Sequence, residues 1–140
     1  TLANPVGSGV RGKLWMVSYA TEVAFAAGAV VLLALGSYSP TAVTGTLPTA
    51  QRNLKTGAAG PMAGIRSFLA ATLPVVPVAI DILGSHGSGA ITVPLQMQPF
   101  TKWYDGAISL EEGCNLSIQT STASGALGTW NAFIFEEEDK

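Results

Sequence analysis

His86 is the single histidine of the 140-residue chain, and it lies five residues after Asp81 with Ser85 and Ser88 on either side. A nucleophilic hydroxyl, a base and a carboxylate that orients the base are the parts of a hydrolytic triad. The run Gly84-Ser85-His86-Gly87-Ser88-Gly89, however, has the composition of a flexible turn, and nothing near it fixes the ring. A metal centre fares no better. One cysteine, Cys114, and one histidine are too few nitrogen and sulfur ligands for zinc. The oxygen ligands Asp81, Asp105, Glu111 and Glu112 lack the alternating acidic spacing of a calcium loop. No Gly-Lys-Ser or Gly-Lys-Thr follows the glycine-rich segments at phosphate-loop spacing. The expectation is therefore a protein that is not an enzyme, with no catalytic residue, metal or cofactor.

Three tryptophans, Trp15, Trp103 and Trp130, and Tyr104 beside the second of them, are the remaining residues with interaction chemistry. Tryptophans on strands can form a stacking platform for a sugar, but more often fill a core or a subunit contact. Trp15, Trp103, Tyr104 and Trp130 are accordingly the candidate contacts between subunits. Cys114 follows a turn glycine and suits packing rather than reactivity.

Bulk composition points the same way. The chain is 48% apolar but only 11% charged, where soluble domains carry about 25% charged residues. So little charge implies a surface covered by something, most simply other copies of the chain. The net charge is −2 and the seven basic residues do not cluster, which argues against nucleic acid as a partner. The most apolar run, Val23 to Leu35, has thirteen residues, and a membrane helix needs about 20. No membrane partner is expected. A start at Thr1 rather than Met suggests processing or an upstream leader.

The elements that must position these residues read as strands. Residues 1–12, with Asn4-Pro5-Val6-Gly7-Ser8-Gly9, are too rich in turn formers for regular structure and are expected to form an extended N-terminal arm. Lys13 to Tyr19 is rich in aromatic and β-branched residues and reads as the first strand. Glu22 to Ala27 and Ala29 to Ser37 follow as two more, the second a continuous apolar run suited to burial on both faces. Tyr38 to Pro61 is a long connection, and Met62 to Ala71 fits a short helix or a strand. Val76 to Leu83 and Ile91 to Met97 alternate with period two. From Trp103 onward, Ile108 and Leu110, then Leu116 and Ile118 across a turn at Glu112-Gly113, read as a closing hairpin with its apolar face in the core. Glu136 to Asp139 reads as a solvated acidic tail, residues 136–140. The fold class is thus all-β, a single-domain β-sandwich of jelly-roll type with about eight strands over residues 13–135. An α+β domain with a helix near Met62 to Ala71 is the alternative.

Three stretches together resemble a family. The opening Asn4-Pro5-Val6-Gly7-Ser8-Gly9, the middle Gly45-Thr46 with Arg52-Asn53-Leu54, and the late Asp105-Gly106-Ala107-Ile108-Ser109-Leu110-Glu111-Glu112-Gly113 are similar to bacteriophage-type virion structural proteins. The resemblance implies a capsid-decorating or head-fibre-like β-domain in the virion, a homo-oligomer with a trimer favoured, whose partners are the major capsid protein or other virion proteins. It carries over no catalytic residue. A carbohydrate- or receptor-binding β-sandwich using Trp103, Tyr104 and His86 is the alternative function.

Overall fold

Alternation of buried and outward positions, Val10, Gly12 and Leu14 and then Val17 and Tyr19 facing inward, with β-branched and aromatic residues among them, produces a long strand rather than a helix. The computed structural model describes residues 1–21, 28–47, 64–86, 99–121 and 129–140. Within them the chain forms ten strands: β1 Leu2–Ala3, β2 Val10–Thr21, β3 Ala29–Gly36, β4 Thr44–Thr46, β5 Arg66–Ser67, β6 Leu69–Thr72, β7 Val78–His86, β8 Phe100–Leu110, β9 Asn115–Thr120 and β10 Thr129–Asp139. The described residues contain no helix, hence none long and apolar enough to cross a membrane. The ambiguous stretch that ends at Ala71 resolves as β5 and β6 where it is described. The strands expected at Glu22–Ala27 and Ile91–Met97 lie outside the described residues.

All pairings are antiparallel, in three sheets ordered β5-β1-β9-β3-β7, β10-β2-β8 and β4-β6. One core joins the two larger sheets: Leu2, Leu33 and Leu116 from the first meet Val10, Leu14, Val17 and Leu110 from the second, with Ile65 beside them. Each such side chain contributes about 1.5–3 kcal/mol on leaving water. Ile108 and Ile118 pack on this core half-buried, so the expected apolar face from Ile108 to Ile118 does point inward.

Three expectations need correction. β8 and β9 are not a hairpin: β8 pairs with β2, whereas β9 lies between β1 and β3 in the other sheet. With both edges of β9 taken, none is left for β8, and the Glu111–Cys114 turn becomes a corner between sheets. The first residues are not an arm running away from the domain, because Leu2 and Ala3 form the strand between β5 and β9 and are buried. The acidic run is not a tail either. Glu136 to Asp139 continue β10 along Lys13, Gly12, Arg11 and Val10 of β2. Its charges have partners: Glu138 pairs with Lys13 at 2.6 Å, and Glu137 accepts from the Ile65 amide at 2.6 Å.

Candidate interaction surface

The hydrogen-bonding side chains of the N-terminal loop close a corner. Asn4 is 1% exposed. Its amide donates to the carbonyls of Val10 at 2.9 Å and Leu110 at 3.0 Å, and its Oδ1 accepts from Ser8 Oγ at 2.6 Å. Its backbone closes the circuit, donating to Cys114 O at 3.0 Å and accepting from the Gly113 amide at 2.7 Å. Glu112 accepts from the Gly9 amide at 2.6 Å, and chiefly this bond holds its carboxyl below the usual carboxylate range. Asn4–Gly9 and Glu111–Gly113 are therefore one interlocked unit. Burial, then the negative charge of Glu111, pushes the Cys114 thiol up, which leaves it a poor nucleophile. On the next strand Asn115 is fully buried with its amide against Gly36, and neither its nitrogen nor its oxygen has a hydrogen-bond partner among the described residues.

A second cluster ties the edge strands of the two larger sheets together. Asp81 of β7 accepts from Lys102 Nζ at 2.8 Å and from the Tyr104 hydroxyl at 2.6 Å, both on β8. The Lys102 bond first, then that of Tyr104, holds the Asp81 carboxyl below its ordinary value. Burial, then the bond to Asp81, pushes the Tyr104 hydroxyl up. Beyond it Phe100 stacks on Tyr19 at 5.2 Å between centroids, and β7 comes so close that a methyl on Gly84 would meet the Tyr19 hydroxyl.

Tyr104, two residues after Lys102, shares its side of β8, and beyond it β8 is irregular. Trp103 pairs with Met16 and Ile108 with Leu14, so Tyr104 to Ala107 bulge out of the ladder. Asp105 and Gly106 have left-handed φ values of 49° and 78°, the geometry of an Asp-Gly turn. That dipeptide is the sequence signal that locates the bulge. Opposite it Trp15 is the extra residue of β2 against β10, since Leu14 and Met16 pair with the consecutive Phe135 and Ile134, and on the other side it stands alone against the four looped-out residues of β8. Coinciding bulges re-aim side chains, and here the face of this sheet presents Trp15 and Trp103, 37% and 59% exposed.

The structure separates the four aromatic candidates. Trp15 and Trp103 are exposed on neighbouring strands, and Tyr104 is half-buried in the Asp81 cluster. Trp130, on β10, pairs with Ala20 of β2, and its side chain lies outside the described part. His86 closes β7 opposite Ala29 rather than standing in a loop, and its side chain also lies outside that part. Among the described residues no three of His, Cys, Asp and Glu are grouped to hold a metal ion.

A different apolar row went unnoticed as a surface in the sequence. Val76, Val78 and Ile82 are 89%, 70% and 62% exposed, with Ile80 also exposed, along the β7 edge. Its pattern is that of any half-buried strand; only the strand's place at the edge of the sheet reveals the exposure. Comparison with known proteins returned no match from family models, curated proteins or solved structures.

Proposed function

We propose that this chain is a structural component of a virus particle, a jelly-roll-like β-sandwich that decorates or builds the capsid shell or a fibre as a homo-oligomer, most simply a trimer. The observation that carries the reading is the exposed apolar row Val76, Val78, Ile80 and Ile82 on a chain with 11% charged residues. Contiguous apolar edges of this kind are covered in working assemblies, because in isolation they promote association. The crossing of the chain from β8 in one sheet to β9 in the other, over a shared core, supports the sandwich. The virion assignment rests on the family resemblance, two of whose stretches build the Asn4–Glu112 corner.

Sedimentation velocity at micromolar concentration tests the oligomer, and co-sedimentation with capsids lacking the protein tests the setting. The expected results are a discrete trimer and saturable binding. A persistent monomer that leaves capsids bare would overturn both parts of the proposal.

A further inference from the structure

We infer that the outer face of the β10-β2-β8 sheet is a binding site for an uncharged oligosaccharide, with Trp15 and Trp103 as stacking surfaces and the carboxylates of Asp105 and Glu136 as hydroxyl acceptors. The site goes beyond the structural role and does not depend on it.

Three local irregularities converge there. Trp15 is extra in its strand against β10, and on its other side β8 loops out at Tyr104 to Ala107 opposite it. Asp105 holds a left-handed φ of 49° that a non-glycine residue adopts at a cost. Both tryptophans remain exposed, and Glu136 already accepts from Trp15 Nε1 at 3.3 Å, which steadies the indole. Asp105 is exposed and makes no ion pair among the described residues. A pyranose ring offers an apolar C–H face to an indole and hydroxyl donors at its rim, and flat aromatic surfaces with a few convergent polar groups recognise such ligands.

Charge selects among the possible occupants. Glu136 accepts from Trp15 and Asp105 follows Trp103 by two residues, while the cations of β2, Lys13 and Arg11, are already paired to Glu138 and Glu111. That balance repels sulfated or uronic glycans and nucleic acid phosphates. A second copy of the chain fits less well, since interface cores are depleted of charge and these groups would have to be desolvated. The β7 row has only Asp81 along it, already paired with Lys102.

The test is titration of the full chain with unsulfated gluco-, manno- and galacto-oligosaccharides, read by tryptophan fluorescence and saturation-transfer NMR, with heparin fragments as the anionic control. At least one neutral series is expected to saturate, heparin not at all. Trp103→Ala should weaken that binding about tenfold or more, and Asp105→Asn by a smaller factor. Trp103→Phe, which keeps an aromatic face and is the milder change for folding, should retain part of the affinity. No saturation with any neutral sugar at millimolar concentration overturns the inference. So does binding indifferent to both Trp103 variants, or Trp103 emission that shifts with protein concentration alone, the sign of a second copy on this face.

Discussion

The Asn4–Glu112 corner and the β7–β8 side are opposites in construction. In the corner a buried asparagine has its amide donors and its carbonyl oxygen in use, and the backbone of Gly113 and Cys114 is bound to the same residue. Along the outer side of β7 the side chains of Val78, Ile80 and Ile82 are apolar and exposed, and the pairing with β3 shifts register twice, between Val31 and Leu32 and again between Leu33 and Ala34. The corner has recognisable residues because each hydrogen bond demands a particular group. The β7 edge has no motif, because apolar contact is satisfied by many side chains. A sequence signature in this protein therefore marks what holds the domain together, while the surface open to partners is written in exposure alone.

The sharpest way to break that contrast is Asn4→Ala. It removes the side-chain amide that donates to the carbonyls of Val10 and Leu110 and the nearest acceptor of Ser8 Oγ, which keeps only the longer contacts to Val10 O and Glu112 at 3.4 Å. At about 1–3 kcal/mol for each buried group left unsatisfied, partly relieved by water, the loss should be about 2–4 kcal/mol by urea denaturation. A loss below about 1 kcal/mol would mean that the corner is ornament.

The clasp between the two edge strands is smaller in effect. Asp81→Asn removes an ion pair whose side chains are 26% and 45% exposed, so solvent screening limits the loss to about 1 kcal/mol. Its pH dependence has a definite sign. The folded-state pKa of Asp81 is depressed, so its contribution is present above a pH of about 4 and is lost as pH falls through the folded value. That of Tyr104 is raised, so its contribution is complete below a pH of about 10 and is lost as pH rises beyond. Unfolding midpoints across pH should show Asp81→Asn flattening the acid limb and Tyr104→Phe the alkaline one. If Tyr104→Phe altered only the acid limb, the assigned bond would be wrong.

What could be read from the residues follows the same division. Period-two alternation from Ile108 to Ile118 located the strands and their inward face, because that face is a local property of each strand. It could not reveal that β8 and β9 part into different sheets. That outcome depends on Leu2 and Ala3, more than a hundred residues away, occupying the free edge of β9. Glu136 to Asp139 reads as a tail from its charge alone, and becomes a strand because Lys13, Trp15 and the Ile65 amide face it. Trp15 and Trp103 were visible as candidates by type. Their shared face needed the bulges, of which Asp105-Gly106 was the one written locally.

Asn115 sharpens the comparison from inside the domain. It is as buried as Asn4, yet among the described residues its amide, beside Gly36, has no hydrogen-bond partner. Replacing an unsatisfied buried amide by an apolar group of similar shape removes a desolvation penalty without removing a bond. Asn115→Leu should therefore be neutral within about 0.5 kcal/mol or stabilising by thermal denaturation, where Asn4→Ala is costly. A large loss would show that the Asn115 amide is bonded in solution.

The last contrast concerns a substitution that should leave the monomer almost unchanged. Ile82 is 62% exposed on the strand that ends the five-stranded sheet, so Ile82→Lys should alter monomer stability by no more than about 0.5 kcal/mol. A lysine there places charge within the apolar row, the device by which natural edges resist pairing. If the row is the contact between copies, the variant should sediment as a monomer where the parent is a trimer. Trp103→Ala on the other sheet should leave the parent's oligomer intact. The reverse result, assembly lost with Trp103 and kept with Lys at 82, would move the subunit contact to the tryptophan face and leave β7 without a partner.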